Sequence, residues 1–476
     1  MHIFYEYHFS DNLKQAWCDV GGWYKDENDP DGWSTTKTTE FVSAYAHQHN
    51  PDEDMAESFA TFIINPNLLL SRAPEKYEFI KDYITSGDSY VARVRPDLTF
   101  EVYNLNPDYI YPGKIMNIVV KVTGDEYEDK NVQVQMQLND DGIQSGASGY
   151  HFRITPSEVR STQSYDFQGS PIDSTGLILR GQNTISKYSK SGYWFTDQIT
   201  LRDDVGNERY QGINDFKMSI YIDNPLEDIE GPTFDKTTFK MKVTPSPDTT
   251  HPNEQILTIE MNVHDNIGVA WGEIRLNVLK SNKYSKDYYL GAIDPTTGYC
   301  KTEIVIPEYY SCATYEVESI VLWDKATNCS IFNLNYPEFS SVNRSIDIVT
   351  VNPDDEAPTL DVNNIKVSAV PSNPSNPNGE TYVTITINAE DNYSGLYIGY
   401  LKLVDPRGNI HGDWIYFGWP AGSYYGPKEK KDFVIHRTLP VGSAPGTWGI
   451  YEISLTDFAN NTSVYNFVEY EHFEVN

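Results

Sequence analysis

Two carboxylates, Glu53 and Glu57, stand four residues apart in the stretch Asn50-Pro51-Asp52-Glu53-Asp54-Met55-Ala56-Glu57-Ser58-Phe59, the spacing of one helical turn. Like charges so placed cost a few tenths of a kcal/mol on an exposed helix, and a cation beside them relieves both. No lysine at i+4 does so. Tyr45 lies eight residues before Glu53, and His2, His8, His47 and His49 flank the region. None of these histidines is paired with another at i, i+4, and the chain contains no H-E-x-x-H, the pattern that places two imidazoles on one helical face around a zinc ion. A second acidic group, Glu27-x-Asp29-x-Asp31-Gly32, begins like a calcium loop, but its twelfth position is Thr38 where that loop needs a bidentate glutamate.

The local sequence explains how the carboxylates are carried. Asn50 can cap the first N–H groups of a helix, Pro51 fits its first turn, and Glu53 can reach back to close a capping box. Met55, Ala56, Phe59, Phe62 and Ile63 then share one side at 100° per residue, predicting a buried stripe with Glu53 and Glu57 on its flank.

The run from Tyr45 to Ile84 resembles the end of the catalytic domain in anthrax-lethal-factor-like zinc metallopeptidases. Three elements carry the resemblance in order: Tyr45, the helix Glu53-Asp54-Met55-Ala56-Glu57-Ser58-Phe59, and Ala73-Pro74-Glu75-Lys76-Tyr77-Glu78-Phe79-Ile80. The resemblance implies that Glu53 is the third protein ligand of a catalytic zinc, Glu57 a supporting carboxylate, and Tyr45 a phenol that stabilises the tetrahedral intermediate. These roles are chemically coherent. A catalytic zinc takes three N or O ligands and activates a water in the fourth position. A neighbouring carboxylate orients those ligands, and a phenol can donate to the developing oxyanion. The missing H-E-x-x-H departs from the family. If Met1 is internal to a longer gene, His2 becomes the second histidine of that motif, and the first histidine and the base lie just upstream. The chain by itself is then expected to be inactive.

From about residue 95 onward the pattern changes to strands. Met116, Ile118, Val120 and Val122, then Leu257, Ile259, Met261 and Val263, then Val383, Ile385 and Ile387 alternate with polar residues, predicting one buried and one wet face. Leu201-x-Asp203-x-Val205-Gly206-Asn207 recurs as Leu322-x-Asp324-x-Ala326-Thr327-Asn328 and as Leu455-x-Asp457-x-Ala459-Asn460-Asn461. Each copy follows an aromatic by seven residues (Trp194, Tyr315, Trp448) and an isoleucine by two (Ile199, Ile320, Ile453). One strand and turn therefore appear three times. Matching joints at Glu230-Gly231-Pro232-Thr233-Phe234 and Glu356-Ala357-Pro358-Thr359-Leu360 interrupt pairing with a proline.

With Val263-x-Asp265-Asn266-x-Gly268 and its echo Ala389-x-Asp391-Asn392-x-x-Gly395, these units resemble the tandem immunoglobulin-like domains of bacterial surface and secreted proteins. The expected fold is mainly β: three tandem immunoglobulin-like sandwiches at 95–230, 231–357 and 358–476, preceded by a small truncated α-helical zincin-like segment at 1–88. Asp203, Asp265, Asp324, Asp391 and Asp457 read first as turn caps and second as Ca²⁺ ligands at domain ends. The aromatic run from His411 to Pro427, with Trp414, Tyr416, Phe417, Trp419, Tyr424 and Tyr425, reads first as core and second as a sugar-stacking surface.

Composition limits the partners. With 36 Lys and Arg against 68 Asp and Glu the net charge is −32, which repels nucleic acid and anionic membranes. Cys18, Cys300, Cys312 and Cys329 lack paired zinc-knuckle spacing; they allow one disulfide or buried free thiols. No apolar run is long enough to span a membrane, and the N-terminus carries no export signal. The leading expectation is the C-terminal part of a secreted or surface zinc metallopeptidase acting on a protein or peptide, with metal ligands His2 and Glu53, catalytic Tyr45, supporting Glu57, and accessory sandwiches that space or dock it. The alternative is a non-catalytic adhesin or a carbohydrate- or protein-binding array; a purely structural stalk is a third reading.

Overall fold

The computed structural model describes residues 2–476 except 28, 30, 86, 88, 140–145, 158–161, 213–214, 217, 280–283, 419–425 and 474–476. The chain is mainly β. Among the described residues six α-helices lie ahead of the large sheets: α1 (His2–His8), α2 (Asp11–Gly21), α3 (Ala44–Gln48), α4 (Pro51–Ile64), α5 (Pro66–Arg72) and α6 (Pro74–Tyr83). A short hairpin, Trp23–Lys25 with Trp33–Thr35, lies between α2 and α3. Among the described residues no helix is long and apolar enough to cross a membrane.

Helix α4 starts as its sequence dictates: Asn50 Oδ1 accepts from Asp52 N at 3.0 Å and Glu53 N at 3.1 Å. Its buried stripe differs from expectation. Pro51, Asp54, Met55, Ser58 and Phe62 face inward, Phe59 is only partly buried, and Ile63 is exposed. The rotation follows from Asp54, whose carboxylate accepts from Lys76 Nζ at 2.6 Å, Trp23 Nε1 at 2.9 Å and Ser58 Oγ at 3.3 Å. A buried charge so fully paired can share a core with Trp17, Met55, Phe62, Leu69 and Ile80.

The first all-β unit is an antiparallel nine-stranded sheet running from Ile115–Thr123 to Ser219–Ile222. Its central strand, Gly149–Pro156, pairs Tyr165–Pro171 on one side and both Gln198–Arg202 and Gly192–Phe195 on the other. Along Ile115–Thr123 the expected inward positions Ile118 and Val120 do pack against the core while Val119 is exposed, but Val122 is exposed at the strand's end and the phase breaks at its start, where Met116 is 66% exposed and Ile115 buried. A register shift between Ile115 and Asn117 inserts a bulge, which moves the outward positions by one. The second unit packs a three-stranded sheet (Thr233–Pro245, Gln255–His264, Tyr299–Ile306) on a five-stranded one (Val269–Leu279, Tyr284–Tyr289, Ala313–Asp324, Cys329–Asn333, Ser345–Ile348). Leu257, Ile259, Met261 and Val263 fill the space between them, as their period of two requires. The third repeats this plan with four strands against five around Val383, Ile385, Ile387 and Trp448.

New sheets open at Thr233 and Thr359, inside the two proline joints. The start of the first sandwich expected at 95 is corrected by the strand pairing. Thr99–Val102 pairs with the Gly446–Asp457 strand at Gly446–Gly449, and Leu98, Phe100 and Val102 lie in the third unit's core. Ser89–Val94 pairs antiparallel with Val468–Phe473. In the second unit the equivalent place beside Ala313–Glu316 is taken by that unit's own last strand, Ser345–Ile348, and in the first Ser219–Ile222 sits beside Gly192–Phe195. The third unit is thus completed by residues that precede the first. All four cysteines are free, with Cys18 and Cys300 buried.

Candidate functional site

Helix α1 crosses the start of α4, and this brings His2 to the acidic turn that Asn50 caps. His2 Nε2 lies 3.6 Å from Glu53 Oε2, and its Nδ1 lies 3.2 Å from Asp52 Oδ1. The second contact is an ion-pair approach and not a hydrogen bond, because Asp52 Oδ1 has no hydrogen-bond partner. Glu53, expected to reach back to its own N-cap, faces His2 instead. Tyr45, on α3, is pushed above the ordinary phenol range by burial first, then by the Glu53 carboxylate, with smaller contributions from Glu57 and Asp31. Glu57 accepts from Ser43 Oγ at 2.9 Å, and Ser43 also caps α3 through Ala46 N. The four residues singled out by sequence therefore gather at one end of the helical segment.

The other histidines are placed differently. His49 Nδ1 is 2.7 Å from Asp31 Oδ2, with its ring 4.3 Å from that of Tyr45. His47 packs on Phe41 at 4.9 Å, and burial together with Arg209, Lys114 and Lys76 lowers it to about 3. In the Glu27–Gly32 turn, Asp29 Oδ1 accepts from Asp31 N, a local turn contact.

A zinc ion with N and O ligands at about 2.0–2.2 Å separates them by roughly 3.3–3.6 Å in a tetrahedron, so the His2–Glu53 spacing suits two of its ligands. An imidazole ligand is usually oriented by a carboxylate that accepts from its far ring nitrogen; Asp52 Oδ1 approaches that nitrogen at 3.2 Å without a hydrogen bond. Among the described residues, however, no group of three metal-binding side chains includes His2 or Glu53. Two ligands without a third, and without a general base, do not fit a complete catalytic zinc, and no hydrolytic step runs on these residues alone.

The repeated turns form a second constellation. In each, the aspartate Oδ1 accepts from the backbone N four residues later and Oδ2 from the closing asparagine Nδ2, as Asp203 with Asn207, Asp324 with Asn328 and Asp457 with Asn461 show; Asp203 and Asp324 Oδ1 also accept from the backbone N two residues later. Only for Asp457 does the residue two later, Ala459, donate elsewhere, to Ser394 Oγ. The position before the asparagine is left-handed each time, at Gly206, Thr327 and Asn460; for a β-branched threonine that is a strained geometry held by its surroundings. The asparagines then donate to the preceding joint. Asn207 Nδ2 bonds Asp108 O; Asn328 Nδ2 bonds Asp228 O and Glu230 O; Asn461 Nδ2 bonds Asp354 O and Glu356 O. The turn-cap reading of these aspartates is therefore correct, and it adds a clasp on each joint.

Sequence reading passed over several of these residues. Asp405 and Asn409 make a fourth such turn, hidden because no aromatic stands at the expected spacing. Asp228 and Asp354 had a legible signal, the shared Asp-x-Glu-x-Pro of Asp228-Glu230-Pro232 and Asp354-Glu356-Pro358. In the aromatic run Phe417 is core while Trp414 and Tyr416 are exposed; Trp419, Tyr424 and Tyr425 lie outside the described residues.

No family model matches the chain, and no curated protein does. Among solved structures, a native alfa-L-rhamnosidase from Aspergillus terreus aligns over 72% of this chain and 49% of its own length, at 9% identity and a TM-score of 0.16. The chain thus spans about half the length of that enzyme, and a likeness this slight carries no argument about fold or function.

Proposed function

We propose that the helical segment is the C-terminal part of a lethal-factor-like zinc metallopeptidase site, carried on three immunoglobulin-like sandwiches outside the cell. The observation that supports it is the convergence of His2 and Glu53 at 3.6 Å, with Asp52 behind the imidazole and Tyr45 beside Glu53. In this reading His2 and Glu53 are two zinc ligands, Glu57 steadies the helix end through Ser43, and Tyr45 donates to the oxyanion of a cleaved peptide bond. A further imidazole and a general base have to come from another segment. The sandwiches dock the site: Asn65 Nδ2 donates to Gly408 O, and Gln48 Nε2 to Asp215 Oδ2.

The test extends the chain by His-Glu-x ahead of Met1, so that a full H-E-x-M-H ends at His2. One equivalent of zinc by elemental analysis, with hydrolysis of a peptide library, is expected, and Glu53→Gln should remove both. Failure of the extended chain to retain zinc overturns the proposal.

A second reading, a non-catalytic surface array, is favoured by one observation. The exposed Trp271 stacks on Trp323 at 3.8 Å beside the exposed Tyr289, a flat apolar platform suited to a sugar face. Glycan-array binding by the whole chain, lost in Trp271→Ala, would support it.

A further inference from the structure

We propose that the two joints leading into the second and third sandwiches each bind one calcium-class divalent cation, one through Asp228, Asp265 and Asp324, the other through Asp354, Asp391 and Asp457. Each trio offers carboxylate oxygens lying within 4.8 Å of one another. A Ca²⁺ shell of 2.3–2.6 Å spans about 4.6–5.2 Å across, whereas Mg²⁺ at 2.0–2.1 Å spans about 4.2 Å at most.

Proximity of acids alone would mean little, since most of these oxygens already cap turns. The decisive observation is what remains after capping. Asp228 spends Oδ1 on Glu230 N and Asn266 Nδ2, and its Oδ2, shut off from water, has no partner. Asp391 spends Oδ2 on Tyr393 N and Gly395 N, and its Oδ1 is likewise enclosed and without a partner. Both residues are only 5% exposed. A carboxylate oxygen stripped of water and left without a donor is costly, and here it happens once in each of two independent copies, each time beside two more carboxylates. The effect shows on the neighbours. Burial, then the facing Asp265 and Asp228, push Asp324 up to about 7; burial, then Asp354 and Asp391, do the same to Asp457. Among the described residues Lys428 offsets the rise of Asp391 only slightly.

The first joint shows what protein can do instead. There Asp108 is again set against the turn of Asp203; burial raises its carboxyl above the usual range, offset in part by the Ile110 N–H and by Arg407 and Arg72, and Arg407 Nη1 donates to Asn207 Oδ1 at 3.3 Å. Arginine takes the place that a metal ion takes at the other two joints. Because Asp228 and Asp354 belong to the joint, and their partners to the sandwich that follows, the ion ties each joint to that sandwich and stiffens the array.

The experiment is calorimetric titration of the whole chelator-treated chain with CaCl₂. Two equivalents per chain are expected, falling to one in Asp228→Asn and one in Asp391→Asn, and to none in the double variant. Asn keeps the capping oxygen of each residue. Asp108→Asn should leave two. Fewer than two equivalents in the unsubstituted chain at millimolar CaCl₂, or two retained in both variants, overturns the proposal; should a variant not fold, the unsubstituted stoichiometry decides.

Discussion

Lys76 Nζ lies 2.6 Å from Asp54 Oδ1 with both side chains closed to water, 1% and 0% exposed. The ammonium also sits 3.5 Å from the Phe41 ring centre, so an ion pair occupies the middle of an otherwise apolar cluster. Burial pushes Lys76 down to about 8. Replacing one partner strands the other, which typically costs about 3–5 kcal/mol. Lys76→Met should therefore unfold the helical segment at markedly lower denaturant, read by far-ultraviolet dichroism at 222 nm, and Lys76→Met with Asp54→Asn should recover part of the loss.

His47 gives that segment a pH dependence. Its folded value of about 3 lies below the ordinary 6.5, so between these limits the unfolded chain binds the extra proton. Stability rises with pH across that window and is lost as pH falls from about 6.5 toward 3, at up to about 1.4 kcal/mol per pH unit. The Nδ1 atom has no hydrogen-bond partner, so His47→Gln should flatten the curve, measured as the urea midpoint of the helical signal at pH 4.5 and 7.

The third sandwich should not stand by itself. Phe100 stacks against Trp448 with ring centres 6.3 Å apart, and Thr99–Val102 pairs with Gly446–Gly449 at the start of that strand. Residues 358–476 expressed alone should be poorly soluble and exchange their amide protons fast; a peptide of residues 89–104 should restore protection at 446–449. In the whole chain, Phe100→Ala should cost about 3–5 kcal/mol of that unit's stability.

Asn461 clasps the joint before it with bonds to Asp354 O and Glu356 O. Asn461→Ala leaves buried acceptors unmet, at about 1–3 kcal/mol. Limited proteolysis should then cut at 349–358 several times faster, while Asn409→Ala, whose side chain bonds Asp405 within its own turn, should leave that site unchanged.

Much of this architecture is written in local pattern. The Asn50 cap and the recurrence of Trp194, Tyr315 and Trp448 ahead of each Asp turn follow from spacing, because caps, turns and alternation are short-range effects. What spacing could not show is long-range. Nothing local to Asp54 announces Lys76, so Asp54 is absent from the stripe read off the sequence. Nothing near Thr99 names Gly446–Gly449 as its partner, and a strand reads the same whichever sheet accepts it. The site residues were found through a family resemblance, and geometry has since brought His2 to Glu53.

The edge strand at Thr99–Val102 sets an order on synthesis. Phe100 leaves the ribosome 348 residues ahead of Trp448, which at about 5–20 residues per second is roughly 20–70 s. Through that interval its apolar side chains have no seat, so the nascent chain is most vulnerable to sticking to itself long before its last domain is made, and whatever shields Phe100 and Val102 in the meantime governs the yield.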